Sequence, residues 1–212
     1  QASVTVEHST ILDCKKFGIS TIDGELLVHH SKVLRSAESN IKVDGTKTTL
    51  SDSISKNSQD GAGLWALNQS VISITRSELS NNAKPNISIA HSQLFIEQTQ
   101  LLNSNQCGIW MKDQSKAQVL DCTIGHNIYA NIELADSMIN LQDCRIDHSA
   151  SDGLYISKRS IAHVTGCDFN HNAGSNVCFI NSDGSIIDCT LHDSAKNGLW
   201  ISDNSKVTLK QS

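Results

Sequence analysis

Residues 153–175 read GLYISKRSIAHVTGCDFNHNAGS, and their pattern decides the fold. Gly153 is followed by Leu154 and Ile156 with Tyr155 between them, the period-two alternation of a short strand with one buried face. Val164 marks a second strand, and Cys167 with Phe169 two residues later marks a third. Outward from this stretch, the opening mark recurs as Gly18, Asn40, Gly63, Asn86, Gly108, Asn131, Gly153, Asn176 and Gly198, at steps of 22 or 23. Apolar pairs follow it, as in Leu64 and Ala66, Ile109 and Met111, Ile132 and Leu134, Val177 and Phe179. The closing mark recurs as Ser9, Ser31, Ser77, Thr99, Cys122, Cys144, Cys167 and Cys189, each with an apolar residue two positions on.

No segment has helical spacing, so the chain reads as all-β. Three short strands in 22–23 residues cannot bury their own apolar faces, whereas triplets stacked in register enclose one continuous interior. The predicted architecture is a single-stranded parallel β-helix, a solenoid of about nine coils rising roughly 4.8 Å per coil. Gly and Asn tolerate positive φ, which predicts a left-handed turn at each anchor. The third coil, Thr48 to Gln69, slips by one residue near Ile54 and carries the extra Gly61, which predicts a bulge. Gly63, Gly108, Gly153 and Gly198 lie 45 apart, so the repeating unit is two coils.

The 212 residues are 38% hydrophobic and 18% charged with one proline, which excludes a disordered linker. No apolar run approaches the length of a membrane span. The net charge of -5 and the scatter of Lys and Arg leave nucleic acid without an electrostatic footing. Residues 1–212 read as one domain, expected to be part of a longer chain. Val4 and Val6 at one end and Val207 and Leu209 at the other lie in strands with no capping helix, so either the chain continues or copies stack end to end.

The run Gly153-Leu154-Tyr155-Ile156, then Val164, Cys167, Phe169 and Asn172, resembles the right-handed β-helix repeats of the pectin-lyase-like superfamily, of the short type shared by carbohydrate-binding proteins and sugar hydrolases. Similar arrays occur in alginate epimerases, periplasmic copper-system proteins and F-box proteins. The resemblance covers nearly the whole chain and implies a right-handed coil whose anchor-strand sheet carries a substrate groove on its outer face. Cys167 stands where that pattern often has Asn. The paired aspartates, Gly-His-Gly and Arg-x-Lys segments of polygalacturonase-like relatives are missing, and coils this short leave no room for walls around a cleft.

Between the buried positions of the anchor strands one residue points outward, giving the column Ser20, Lys42, Trp65, Ser88, Trp110, Glu133, Tyr155, Cys178 and Trp200. All three tryptophans and Tyr155 share it on alternate coils, an aromatic ladder suited to stacking on a glycan or protein partner. Aromatics covering a sheet for its own sake is the competing explanation. Lys112, Glu133 and Tyr155 are the candidates for proton transfer, set against their being a solvated rim. His126, His148 and His171 fall in another column, with Asp193 as the natural fourth ligand of a metal. Three ligands in a line approach a metal badly, and a corner that needs only a turn-tolerant polar residue explains them, so no metal and no cofactor are assigned.

In-register cysteines at 122, 144, 167 and 189 stand too far apart for disulfides and should be reduced, which favours the cytoplasm over secretion, as does the lack of a signal-peptide pattern at Gln1 to Thr10. Cys178, in the outward column, is the candidate exposed thiol. The reading is a non-catalytic scaffold presenting Trp65, Trp110, Tyr155 and Trp200, with Lys112 and Glu133 beside them, to a protein or glycan. The alternative is a polysaccharide lyase, epimerase or hydrolase.

Overall fold

The computed structural model describes residues 2–212. Among the described residues there are only strands, turns and bends, and the strands form three parallel sheets. The anchor sheet has nine strands, from Ile19–Ile22 to Leu199–Ser202. The second sheet has ten, from Ala2–Glu7 to Lys206–Lys210, and the third has nine, from Thr10–Leu12 to Thr190–His192. The chain visits anchor, second and third sheets in turn, and each strand pairs in register with those one coil away. A sequence separation of 22–24 therefore means direct spatial adjacency.

Inward columns from the three sheets meet in one core running the length of the rod, with Ile109, Met111, Ile124, Ile132, Leu134 and Ile146 wholly buried. Each such side chain removed from water contributes about 1.5–3 kcal/mol, which offsets the cost of ordering the coils. The third coil does not slip near Ile54, where Val33 pairs with Ser55 at the ordinary step of 22 and Ser53 holds the Ser and Cys column. Ser55, not Ile54, takes the inward place opposite Leu79, and its hydroxyl donates to Gly63 O at 2.9 Å. The extra residue sits in the following corner, where Gly61 lies so close to the Ser39 and Glu38 backbone that no Cβ fits.

The anchors do not turn through a left-handed conformation. Positive φ falls instead at the three corners of each coil, for instance at Asp136, Asp143 and His148 in succession. Gly occupies the anchor because a Cβ on Gly63, Gly108 or Gly153 would approach the carbonyl oxygen of Asn86, Asn131 or Asn176 to 2.7, 2.7 or 2.6 Å. The intervening Asn anchors are buried and crosslink the corner: Asn127 Nδ2 donates to Asn131 Oδ1 at 2.8 Å, and Asn131 Nδ2 donates to Asp147 O at 2.8 Å. The same pair recurs at Asn82–Asn86 and Asn172–Asn176. Close approach on Gly coils and amide crosslinks on Asn coils give the two-coil unit a cause inside the rod.

The Ser and Cys column is a second ladder. Ser31 Oγ donates to His29 O at 2.8 Å and accepts from Ser9 N at 3.1 Å; Cys167 Sγ donates to Thr165 O and accepts from Cys144 N, both at 3.4 Å. Cys122, Cys144, Cys167 and Cys189 are buried, and all seven cysteines are unbonded to one another.

Candidate ligand-binding face

Register along the anchor sheet joins Ser20, Lys42, Trp65, Ser88, Trp110, Glu133, Tyr155, Cys178 and Trp200 into one continuous outward column. The aromatics are less exposed than an open platform implies: Trp200 is 49% exposed, while Trp65, Trp110 and Tyr155 are half-buried. Cys178 is not an exposed thiol. At 6% exposure it is covered in the column between Tyr155 and Trp200, and burial, followed by the charge of Asp152, pushes its pKa up to about 11.

A cleft exists where short coils predicted none. Trp65 and Trp110, two coils apart, flank a groove of about 490 Å³ whose floor is Ser88 and whose wall is the third corner, at Glu38, Asp60, Lys84, Pro85 and Gln106. Ser88 makes the floor because it is small and 7% exposed. The wall is the stacked corner itself, held by backbone bonds such as Lys84 N donating to Gly61 O at 2.9 Å, with the exposed Lys84–Asp60 ion pair at 3.2 Å on its surface. Two lysines lie over the rings: Lys42 Nζ is 5.1 Å from the centroids of both Phe17 and Trp65, and Lys112 Nζ is 5.3 Å from that of Trp110. Such contacts hold an aromatic in one orientation and leave the ammonium available to a ligand.

Sequence reading missed Phe17 and the wall. Its residues stand one to three places before the anchors, at Glu38, Asp60, Gly61, Lys84, Pro85 and Gln106.

The proton-transfer candidates are brought only partly together. Glu133 and Tyr155 are direct neighbours in the column, whereas Lys112 lies at the end of the Trp110 strand, two coils from Tyr155. Glu133 Oε2 accepts from the buried Cys107 thiol at 3.3 Å, and burial, then the Glu133 charge, raises the Cys107 pKa. Burial first, then the charges of Cys178, Glu133 and Asp152, holds the Tyr155 phenol above its ordinary pKa, so it is neutral at pH 7. Lys112 lies 3.4 Å from Asp113.

Of the histidine column, His126, His148 and His171 all have positive φ, the geometry a turn-tolerant corner requires. Their rings stack at 4.7 and 5.0 Å. Asp193 does not join them, being held by His192 Nδ1 at 2.7 Å.

Residues 62–212 match the family described as the right-handed β-helix region, and the chain belongs to that family. No curated relative matches it in sequence. Among solved structures it is similar to the periplasmic alginate epimerase AlgG, with TM-score 0.69 and 11% identity over 91% of this chain and 47% of that one. It is similar to the pectate lyase Pel9A, with TM-score 0.56 and 9% identity over 86% of this chain and 54% of that one. Tailspike protein 2 of Escherichia coli O157:H7 bacteriophage CAB120 aligns with TM-score 0.59 and 11% identity over 98% of this chain and 38% of that one. The chain thus spans about half or less of the length of these proteins, and at such identity the likeness is one of fold.

Proposed function

We propose that the protein is a non-catalytic glycan-binding β-helix in which a saccharide chain lies along the anchor sheet with sugar rings on Trp65 and Trp110. The observation that carries this is the groove between those two rings. It is lined by aromatic faces and by Lys84 and Lys112, and its two-coil span of roughly 9.6 Å is near the length of a disaccharide. Two β-helices of similar fold are named for alginate and pectate, which supports a saccharide over a protein partner. The proposed absence of catalysis rests on the acid–base candidates: Tyr155 has its pKa raised where a base needs it lowered, and Glu133 is engaged by Cys107.

The test is tryptophan fluorescence titration with oligosaccharides of increasing length, neutral and uronate, alongside product analysis. Binding that strengthens up to a few sugar units, with no product released, is expected. No quenching by any oligosaccharide would overturn the glycan assignment. Product formation lost in Glu133→Gln would establish the enzymatic alternative instead.

A further inference from the structure

The third corner in the C-terminal half brings together a set of side chains that neither the rod's packing nor the aromatic face uses. Gly125 pairs in register with Asp147, where the same column elsewhere carries Leu34, Leu102, Asn170 and His192. A Cβ at Gly125 would collide with Asp147 Oδ1, so the missing side chain is what lets the carboxylate turn toward the Gly125–His126 coil. The Asp147 side chain is 5% exposed, and among the described residues its Oδ1 has no hydrogen-bond partner. A buried carboxylate oxygen without a donor costs on the order of 1–3 kcal/mol or more and calls for an occupant. Oδ2 lies 2.8 Å from Arg145 Nε and 3.2 Å from His148 Nδ1.

His126 rises from the coil below and stacks on His148 at 4.7 Å, and ligand atoms of His126, Asp147 and His148 all lie within 4.8 Å of one another. We propose that these three residues bind a divalent transition ion of the zinc type. Two imidazoles and one carboxylate suit borderline ions and not the all-oxygen preference of Ca²⁺ or Mg²⁺. Asp147 supplies what a line of histidines lacks, a ligand projecting from the side. A tetrahedral zinc site needs ligand atoms about 3.3 Å apart, so closure takes a modest rotation of exposed imidazoles. Arg145, more than half exposed, swings out, and the ion takes over the charge of the whole carboxylate, Oδ1 included. Three protein ligands leave one position for solvent or an outside group.

The other cluster of this composition, His29, His30 and Asp52, is the contrast. There both carboxylate oxygens are taken by Arg76, at 2.8 Å each, and His29 Nδ1 is bonded to Ser51 Oγ at 2.7 Å.

The test is titration of the full chain with Co²⁺ and Zn²⁺, followed by Co²⁺ absorption spectroscopy. One equivalent is expected, with a d–d spectrum lacking a thiolate charge-transfer band. His126→Gln and His148→Gln, at exposed sites where folding is kept, should each weaken binding at least tenfold. Arg145→Gln should tighten it, and His29→Gln should leave it unchanged. No stoichiometric binding, a thiolate band, or undiminished affinity in both ligand variants would overturn the site. None of these readouts depends on glycan binding.

Discussion

Trp65 with Trp110 and Tyr155 with Trp200 occupy the same column at the same two-coil spacing, yet they make different surfaces. In the first pair the residue between the rings is Ser88, small enough to form a floor, and lysines stand over both indoles. In the second pair it is Cys178, and the charged neighbours are the acidic Glu133 and Asp152. The corner also differs by one residue: both Gly61 and Gly174 pack on the backbone of the preceding coil, but the corner that carries Gly61, between Ile54–Lys56 and Leu64–Leu67, is one residue longer than the one that carries Gly174. A repeat thus sets the spacing of a binding surface, and the residues between the repeats set its depth and charge.

The most drastic way to probe this contrast is through the interior that both pairs share. Cys144→Arg places an unpaired charge in the buried ladder between the two regions and should unfold the rod, a loss above about 4 kcal/mol. Circular dichroism and ligand quenching of the surviving tryptophans would read it. A native-like groove at Trp65 and Trp110 in that variant would mean that the N-terminal coils fold by themselves.

Truncating the aromatics in turn separates the two regions directly. Trp65→Ala and Trp110→Ala should each weaken oligosaccharide binding ten- to a hundredfold, about 1.4–2.8 kcal/mol, while Trp200→Ala changes it less than threefold. The half-burial of Trp110 predicts a stability cost of about 1–2 kcal/mol as well. Equal losses from Trp110→Ala and Trp200→Ala in calorimetric titration would erase the distinction.

Alkaline pH should weaken the whole rod, with Cys178 of the C-terminal pair one contributor among the raised thiols Cys107, Cys122 and Cys167. The Cys178 thiol is raised from an ordinary 9.0 to about 11, so the folded state disfavours the thiolate; its contribution is present below pH 9 and declines as pH rises from 9 to about 11. Tyr155, also raised, acts in the same direction above its ordinary value of 10.0. Denaturation midpoints measured from pH 8 to 11 should fall, and Cys178→Ser should flatten the early part of the slope. An unchanged slope in that variant would locate the alkaline loss elsewhere.

The smallest effect belongs to the lysines over the indoles. Lys112, which lines the groove over Trp110, should lose about two- to fivefold in affinity as Lys112→Gln, whereas Lys42, packed between Phe17 and Trp65 outside the groove, should change affinity less than about twofold as Lys42→Gln. Comparing uronate with neutral oligosaccharides in both variants shows whether the lysines read charge or only orient the rings.

Much of this face was legible in the residue order. In a β-helix with coils of nearly constant length, residues 22 or 23 apart become neighbours, so the column from Ser20 to Trp200 and the Cys ladder could be assigned before any coordinates. The third coil was harder, because Ser55 stands at the inward position an apolar residue holds elsewhere and hides the regular step from Val33. The wall went unseen because corner residues lack period-two alternation. Their positions before the anchors carry no sign of whether the corner folds over the sheet or away from it.

The amino-acid order alone determined the all-β class, the coil length, the two-coil unit and which side chains share a column, since each follows from periodicity and the stacking of strands about 4.8 Å apart. Only the tertiary structure decided that the corners and not the anchors take positive φ, that Cys178 lies covered, that Trp65 and Trp110 enclose a groove, and that Asp147 and not Asp193 stands beside His126 and His148. These depend on the size of neighbours in adjoining coils and on the path of each corner. An asparagine carbonyl pressing on a glycine, or a carboxylate turning into the space a glycine leaves, is a contact between residues 22 or 23 positions apart, and its distance is set by packing.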